Sequence, residues 1–136
     1  MAYSSIHFNN ERGGKLFSAN CIYDSGNNYH SLISKELLEE NNINYWPLEA
    51  QALNVNLEPV RIIGRVQLRF TLDKSKSSFV ETFYVPSVTS KVVNLGLRFL
   101  QNNKINLLFD TNEIQIEGVH FKLPPYETGG GNLCRS

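Results

Sequence analysis

The sequence predicts a mostly β fold with two short helices, and three observations carry that prediction. Val60 to Leu72 and Phe79 to Val85 alternate apolar and polar residues with the two-residue period of half-buried strands. Clusters of Asn, Asp, Gly and Ser separate the apolar segments at short intervals, as turns between strands require. Helical spacing is confined to two brief stretches, after Ser34 and from Leu97 to Gln101. At 136 residues and 15.5 kDa the chain fits one domain with a real core, over residues 1–124, followed by a tail from 125 to 136.

Taken in order, Ile6 and Phe8 suggest a short first strand, and Asn9 to Gly14 is turn chemistry. From Lys15 to Asp24 a second strand places Phe17, Ala19, Cys21 and Tyr23 on one face and ends on Asp24. Asp24-Ser25-Gly26 is then a tight turn, followed by the short strand Ser31-Leu32-Ile33. Ser34 can cap a helix with Glu36 in its first turn, closed by Asn41-Asn42. After Trp46-Pro47, the segments Ala50 to Asn56 and Val60 to Leu72 form a hairpin around Leu57-Glu58-Pro59. Phe79 to Val85 is an antiparallel strand stopped by Pro86, and Val92 to Gly96 is an apolar strand leading into the second helix. Ile105 to Phe109 and Glu113 to Ile116 pair around Asp110-Thr111-Asn112, and His120 to Leu123 is a terminal strand. Beyond Pro124-Pro125 the Gly129-Gly130-Gly131 composition predicts disorder.

Thirteen basic and thirteen acidic residues cancel, which argues against nucleic acid or an anionic membrane as partner. No apolar run reaches the roughly 20 residues of a membrane-spanning helix, and Met1 to Ser5 lacks the regions of a secretory leader. An intracellular, cytoplasmic protein is therefore expected. Cys21 and Cys134 read as free thiols, and His7, His30 and His120 lack paired spacing, so neither a metal nor a cofactor is expected.

One carboxylate stands out. Asp24 lies on a turn flanked by the apolar Cys21-Ile22-Tyr23 and Leu32-Ile33, which suits an acid that must be held rigidly. Asp-Ser-Gly is also a common surface turn, so the weight comes from the segments C-terminal to it: a hairpin with Gly64 in its return strand, then Val92-Val93-Asn94-Leu95-Gly96 and a short helix. In this order the motifs resemble the retropepsin-like aspartic proteases of retroviruses and LTR retrotransposons, over about Lys15 to Ile116.

The resemblance implies a small closed β-barrel that dimerises, with Ile6 to Phe8 and Phe121 to Leu123 as candidate interface strands. Asp24 would be the catalytic aspartate, Ser25 the residue that bonds across the dimer, and Gly26 the bend beside substrate. Leu53, Asn54, Val55, Asn56, Leu57 and Glu58 would form the flap, with Leu32 and Val88 as further pocket walls and Asn27 against the substrate. Leu95 and Gly96 would support the active-site turn. Asp73 and Asp110 are not followed by glycine and read as turn residues, so the second catalytic acid must come from a second copy of the chain. The implied function is a homodimeric aspartic endopeptidase acting on an extended peptide, in processing of a retroelement polyprotein. The competing implication is an inactive domain of the same fold that serves dimerisation or peptide binding. Asn27 stands where the family has a small residue, Asn94 interrupts the apolar pair before Leu95-Gly96, and Pro59 stiffens a glycine-poor flap.

Overall fold

The computed structural model describes residues 2–27, 30–53, 59–73, 75–87, 92–108, 113–117 and 119–122, and for 2–3, 53 and 119–122 it describes the backbone alone. The expected flap tip Asn54 to Glu58, together with Val88, Asp110 and the tail, lies outside the described residues. Among the described residues ten strands and two helices follow one another as β1 (Ala2–Asn9), β2 (Lys15–Asp24), β3 (Leu32–Ile33), α1 (Lys35–Glu40), β4 (Trp46–Leu53), β5 (Pro59–Leu72), β6 (Ser78–Pro86), β7 (Val93–Gly96), α2 (Leu97–Asn102), β8 (Asn106–Leu108), β9 (Glu113–Ile116) and β10 (Val119–Lys122).

The main sheet runs β1-β2-β7-β3-β6-β5-β4, and β1 also pairs with β5. That return is possible because β5 is 14 residues long and divides its outer edge between two neighbours. Its first half, Pro59 to Arg65, pairs with β4, and its last residues, Arg69 to Leu72, pair with Asn9 to Ile6 of β1. Most pairs are antiparallel. The exceptions are β2 beside β7 and β3 beside β6, both parallel, and they bring distant segments together at Asp24. A separate three-stranded sheet, β10-β9-β8, follows α2.

Two elements begin earlier than their sequence pattern suggests. β1 starts at Ala2 because its whole length is laid against β2, from Ala2 opposite Tyr23 to Phe8 opposite Phe17. β4 starts at Trp46 despite Pro47, since β4 is an edge strand and Pro47 needs no partner for its missing N–H. Gly64 lies opposite Pro47, and a Cβ there would overlap the Tyr45 ring and come within 2.8 Å of the Trp46 carbonyl oxygen. Glycine is thus required by close approach rather than by backbone twist.

The helices end alike. In α1 the Ser34 hydroxyl accepts from the Leu37 amide at 3.3 Å, and the chain leaves through Asn42 in the left-handed region with the Ile43 amide donating to the Leu38 carbonyl at 2.9 Å. At the end of α2, Lys104 takes the left-handed conformation and the Ile105 amide donates to the Leu100 carbonyl at 2.9 Å. At both exits an Asn side chain donates back to the carbonyl four residues earlier, Asn41 to Leu37 at 2.8 Å and Asn103 to Phe99 at 2.9 Å, which satisfies an end carbonyl and explains why Asn pairs terminate both helices.

Inward residues of the alternating strands form the core. Phe8, Phe17, Phe70, Phe79, Phe83 and Phe99 interlock with ring centroids 4.7 to 5.9 Å apart, in stacked and tilted pairs that aromatic quadrupoles favour. Ile105, Ile114 and Ile116 fasten the terminal sheet to this cluster. On the outside, His7 bonds Ser18 at 2.7 Å and Asp73 at 2.8 Å, tying β1 to β2 and to the end of β5. Among the described residues no helix is long and apolar enough to cross a membrane.

Candidate active site

β2 is polar-exposed at its start and fully buried over its last four residues, Cys21 to Asp24. Burial changes the chemistry of this stretch. Desolvation pushes the Cys21 thiol up to about 12, against weaker lowering by hydrogen bonds from Ser4. The same desolvation drives the Tyr23 hydroxyl far above the ordinary phenol range, although it bonds the Ser4 hydroxyl at 2.6 Å. Both groups stay protonated and serve as packing. The strand thus delivers Asp24 from a rigid, neutral base.

Parallel pairing with β7 then sets the carboxylate in place. Tyr23 lies opposite Leu95 and Asp24 opposite Gly96, so the end of β2 and the start of α2 meet. The turn closes with the Asn27 amide donating to the Asp24 carbonyl at 3.1 Å. The Leu97 amide, in the first turn of α2 where no intrahelical acceptor is in reach, donates to the Asn27 carbonyl at 2.9 Å. Helix and turn are therefore locked by backbone groups, with Gly96 as an N-cap that offers no side chain.

Asp24 is 6 % exposed, and both of its carboxyl oxygens accept hydrogen bonds. Oδ1 accepts from the Gly26 amide at 3.1 Å and Oδ2 from the Asn94 side-chain Nδ2 at 2.9 Å. Asn94 is 0 % exposed, and its Oδ1 accepts from Asn27 Nδ2 at 2.8 Å. Asn27 Nδ2 also donates to the His30 carbonyl at 3.0 Å. A second anchor is Ser31, whose hydroxyl accepts from the Gly96 amide at 3.1 Å and donates to Glu81 at 2.9 Å, while its carbonyl accepts from the Tyr84 amide at 2.9 Å. Ser31 thus joins β3, β6 and β7 behind Asp24.

The other expected site residues separate into two groups. Ser25 and Gly26 are exposed, and Ser25 lies at the rim of an open cleft of about 570 Å³ lined by Leu97, Leu100 and Gln101 of α2 and by Lys104 to Leu107. Leu95 and Gly96 are buried, opposite Tyr23 and Asp24 on the parallel strand β7. Asn27 directs its side-chain amide to Asn94 and to the His30 carbonyl. Leu53 pairs with Pro59 at the end of the β4–β5 hairpin, beyond which the flap tip lies outside the described residues. Asp73 bonds His7 far from this turn in register, at the β1–β5 junction.

Asn94 and Ser31 are the contributors that sequence reasoning passed over. For Asn94 a signal existed: an amide inside the apolar run Val92-Val93-Asn94-Leu95 must find polar partners if the strand is buried. Ser31 carried no such signal. Among the described residues no group of three or more His, Cys, Asp or Glu is placed to hold a metal ion.

No protein-family model matches the chain, and no curated protein matches it significantly in sequence. Among solved structures, it is similar to the retroviral protease-like domain of Ddi1 from Leishmania major, with a TM-score of 0.65 and 18% identity over 92% of this chain and 94% of that one. The fold is retropepsin-like: mostly β, with two short helices.

Proposed function

We propose that the chain is an aspartic endopeptidase that works as a homodimer, each copy supplying one Asp24. The observation that carries this reading is a carboxylate buried at the end of β2, held by donors on both oxygens and flanked by the exposed Ser25 and Gly26. The retropepsin-like fold and the return of strand pairing from β5 to β1 support a closed barrel of that type.

The chemistry requires two acids in different states. An ionised aspartate draws a proton from water, which attacks the scissile carbonyl, while a protonated aspartate polarises that carbonyl and later protonates the leaving amine. Two like charges a few ångströms apart do not both ionise cheaply, so a pair of symmetry-related aspartates shares one proton and titrates as a unit. The substrate lies as an extended strand, its main chain hydrogen-bonded and alternate side chains in pockets, beneath flaps built from Leu53 to Glu58. Its natural substrate in this reading is a retroelement polyprotein, on the strength of the motif order.

A second reading is a non-catalytic module of the same fold that dimerises or binds peptides. The buried Asn27–Asn94 pair beside Asp24 favours it, because these amides replace small and apolar residues of the active family. One experiment separates the two. Purified protein is expected to cleave peptides from an unbiased library at mildly acidic pH, and Asp24→Asn to lower the rate by at least about 10²-fold with the fold retained. Sedimentation supplies the companion readout: a strictly monomeric active protein, or unchanged cleavage by the variant, refutes the assigned chemistry.

A further inference from the structure

The buried amides Asn27 and Asn94 form a directional relay. The His30 carbonyl can only accept, so the Asn27 group that faces it at 3.0 Å must be the NH2. That same nitrogen faces Asn94 at 2.8 Å, which obliges Asn94 to present its oxygen there. Asn94 is left with its own NH2 toward Asp24 Oδ2, 2.9 Å away. A backbone carbonyl three residues beyond Asn27 thereby dictates which way an amide 67 positions away points.

From this we infer that Asn94 is a positioning residue for Asp24, oriented by Asn27, which fixes the rotation of the carboxylate and keeps Oδ2 a hydrogen-bond acceptor. With the Gly26 amide on Oδ1 and the Asn94 amide on Oδ2, the carboxyl plane is held from both ends. A proton shared with a second aspartate is thereby excluded from the side of Oδ2 that faces Asn94. The two departures from the family's small and apolar residues are then a single coupled change. Each amide supports the other: Asn94 without Asn27 loses a donor to its oxygen, and Asn27 without Asn94 loses one acceptor for its NH2.

Ionisable neighbours do not substitute for the relay. On the β6 side Glu81 is engaged by the Ser31 hydroxyl at 2.9 Å, and His30 joins through its carbonyl while its ring lies tilted against Tyr84 at a centroid distance of 4.3 Å. Cys21 and Tyr23, on the strand that carries Asp24, are held neutral by burial.

The inference rests on the protease reading for its catalytic consequence but not for its geometry, so the test has two arms. In the first, peptide cleavage by the full chain is measured across pH for wild type, Asn94→Leu, Asn27→Ala and the double variant. Asn94→Leu is expected to lower kcat about 10- to 100-fold, the worth of one hydrogen bond to a charged group, with KM little changed. Because the amides act in series, the double variant falls no further than Asn94→Leu. In the second arm, carbon-13 NMR at one fixed pH follows the Asp24 carboxyl carbon without substrate. Its resonance shifts in Asn94→Leu, which removes the donor to Oδ2, and, by less, in Asn27→Ala. An unmoved resonance in both folded variants, or additive losses in the double variant, overturns the relay. Absence of cleavage in wild type with the NMR shift present overturns the protease reading alone.

Discussion

Asp24 shows how little of a buried carboxylate's character resides in its own side chain. Its two oxygens accept from Gly26, two residues on, and from Asn94, 70 positions away, and only the second bond depends on the fold. The residues immediately before it are equally defined by burial. Cys21 and Tyr23 bond a common serine, Ser4, on the neighbouring strand, and desolvation holds both protonated. Cys21 is therefore expected to resist alkylation at pH 8 in the native protein and to react once urea unfolds it, which peptide mapping by mass spectrometry will read. The pH dependence has a definite sign. A folded value raised above the unfolded 9.0 means that the Cys21 contribution to stability is complete below pH 9 and lost as pH climbs from there toward about 12. Tyr23 acts in the same direction above its unfolded value of 10.0. Unfolding free energies from urea titrations should decline above pH 9, by up to about 1.4 kcal/mol per pH unit for each group, and Cys21→Ala should flatten the first part of that decline.

At the level of elements, the β4–β5 hairpin is held by a contact that no propensity describes. Gly64 is the point where the Tyr45 ring and the Trp46 carbonyl cross the return strand, leaving no room for a Cβ. Gly64→Ala is expected to destabilise the protein by about 1–3 kcal/mol in urea titrations, since the ring must move out of its packed position. An equal midpoint would mean that the hairpin is free to open there. Elements with one wet and one buried face were legible from sequence. β5 alternates along its length, β6 buries Phe79, Phe83 and Val85 on one face, and the caps of α1 and the Asn exits of both helices follow from local chemistry. The start of β4 was not legible, because Pro47 breaks a central strand but is harmless on an edge, and edge position is a property of the whole sheet. The parallel pairs were hidden for a related reason. Val93 to Gly96 carries no mark of its neighbour Cys21 to Asp24, since parallel register is set by the crossover and not by a turn.

The whole molecule brings these pieces to one place. Pairing of β2 with β7 and of β3 with β6 assembles Asp24, Asn94 and Ser31 from segments far apart in the chain, and the β1–β5 pairing returns the sheet order to its first strand. Sequence reading singled out Asp24, Ser25, Gly26, Leu95 and Gly96 because their order is a local pattern. It could not connect Asn27 to Asn94, whose bond spans 67 positions. The chain carries one Asp-Ser-Gly turn, and the proposed chemistry needs two carboxylates, so the proposal assigns catalysis to a pair of chains and not to one. The most direct measurement mixes wild type with an equal amount of Asp24→Asn, lets the subunits exchange, and compares peptide cleavage with that of wild type at the same total concentration. If both chains supply the dyad, random pairing leaves only about a quarter of the dimers active, and activity falls to about one quarter. A fall to about one half, the result for chains that each work alone, would contradict the account.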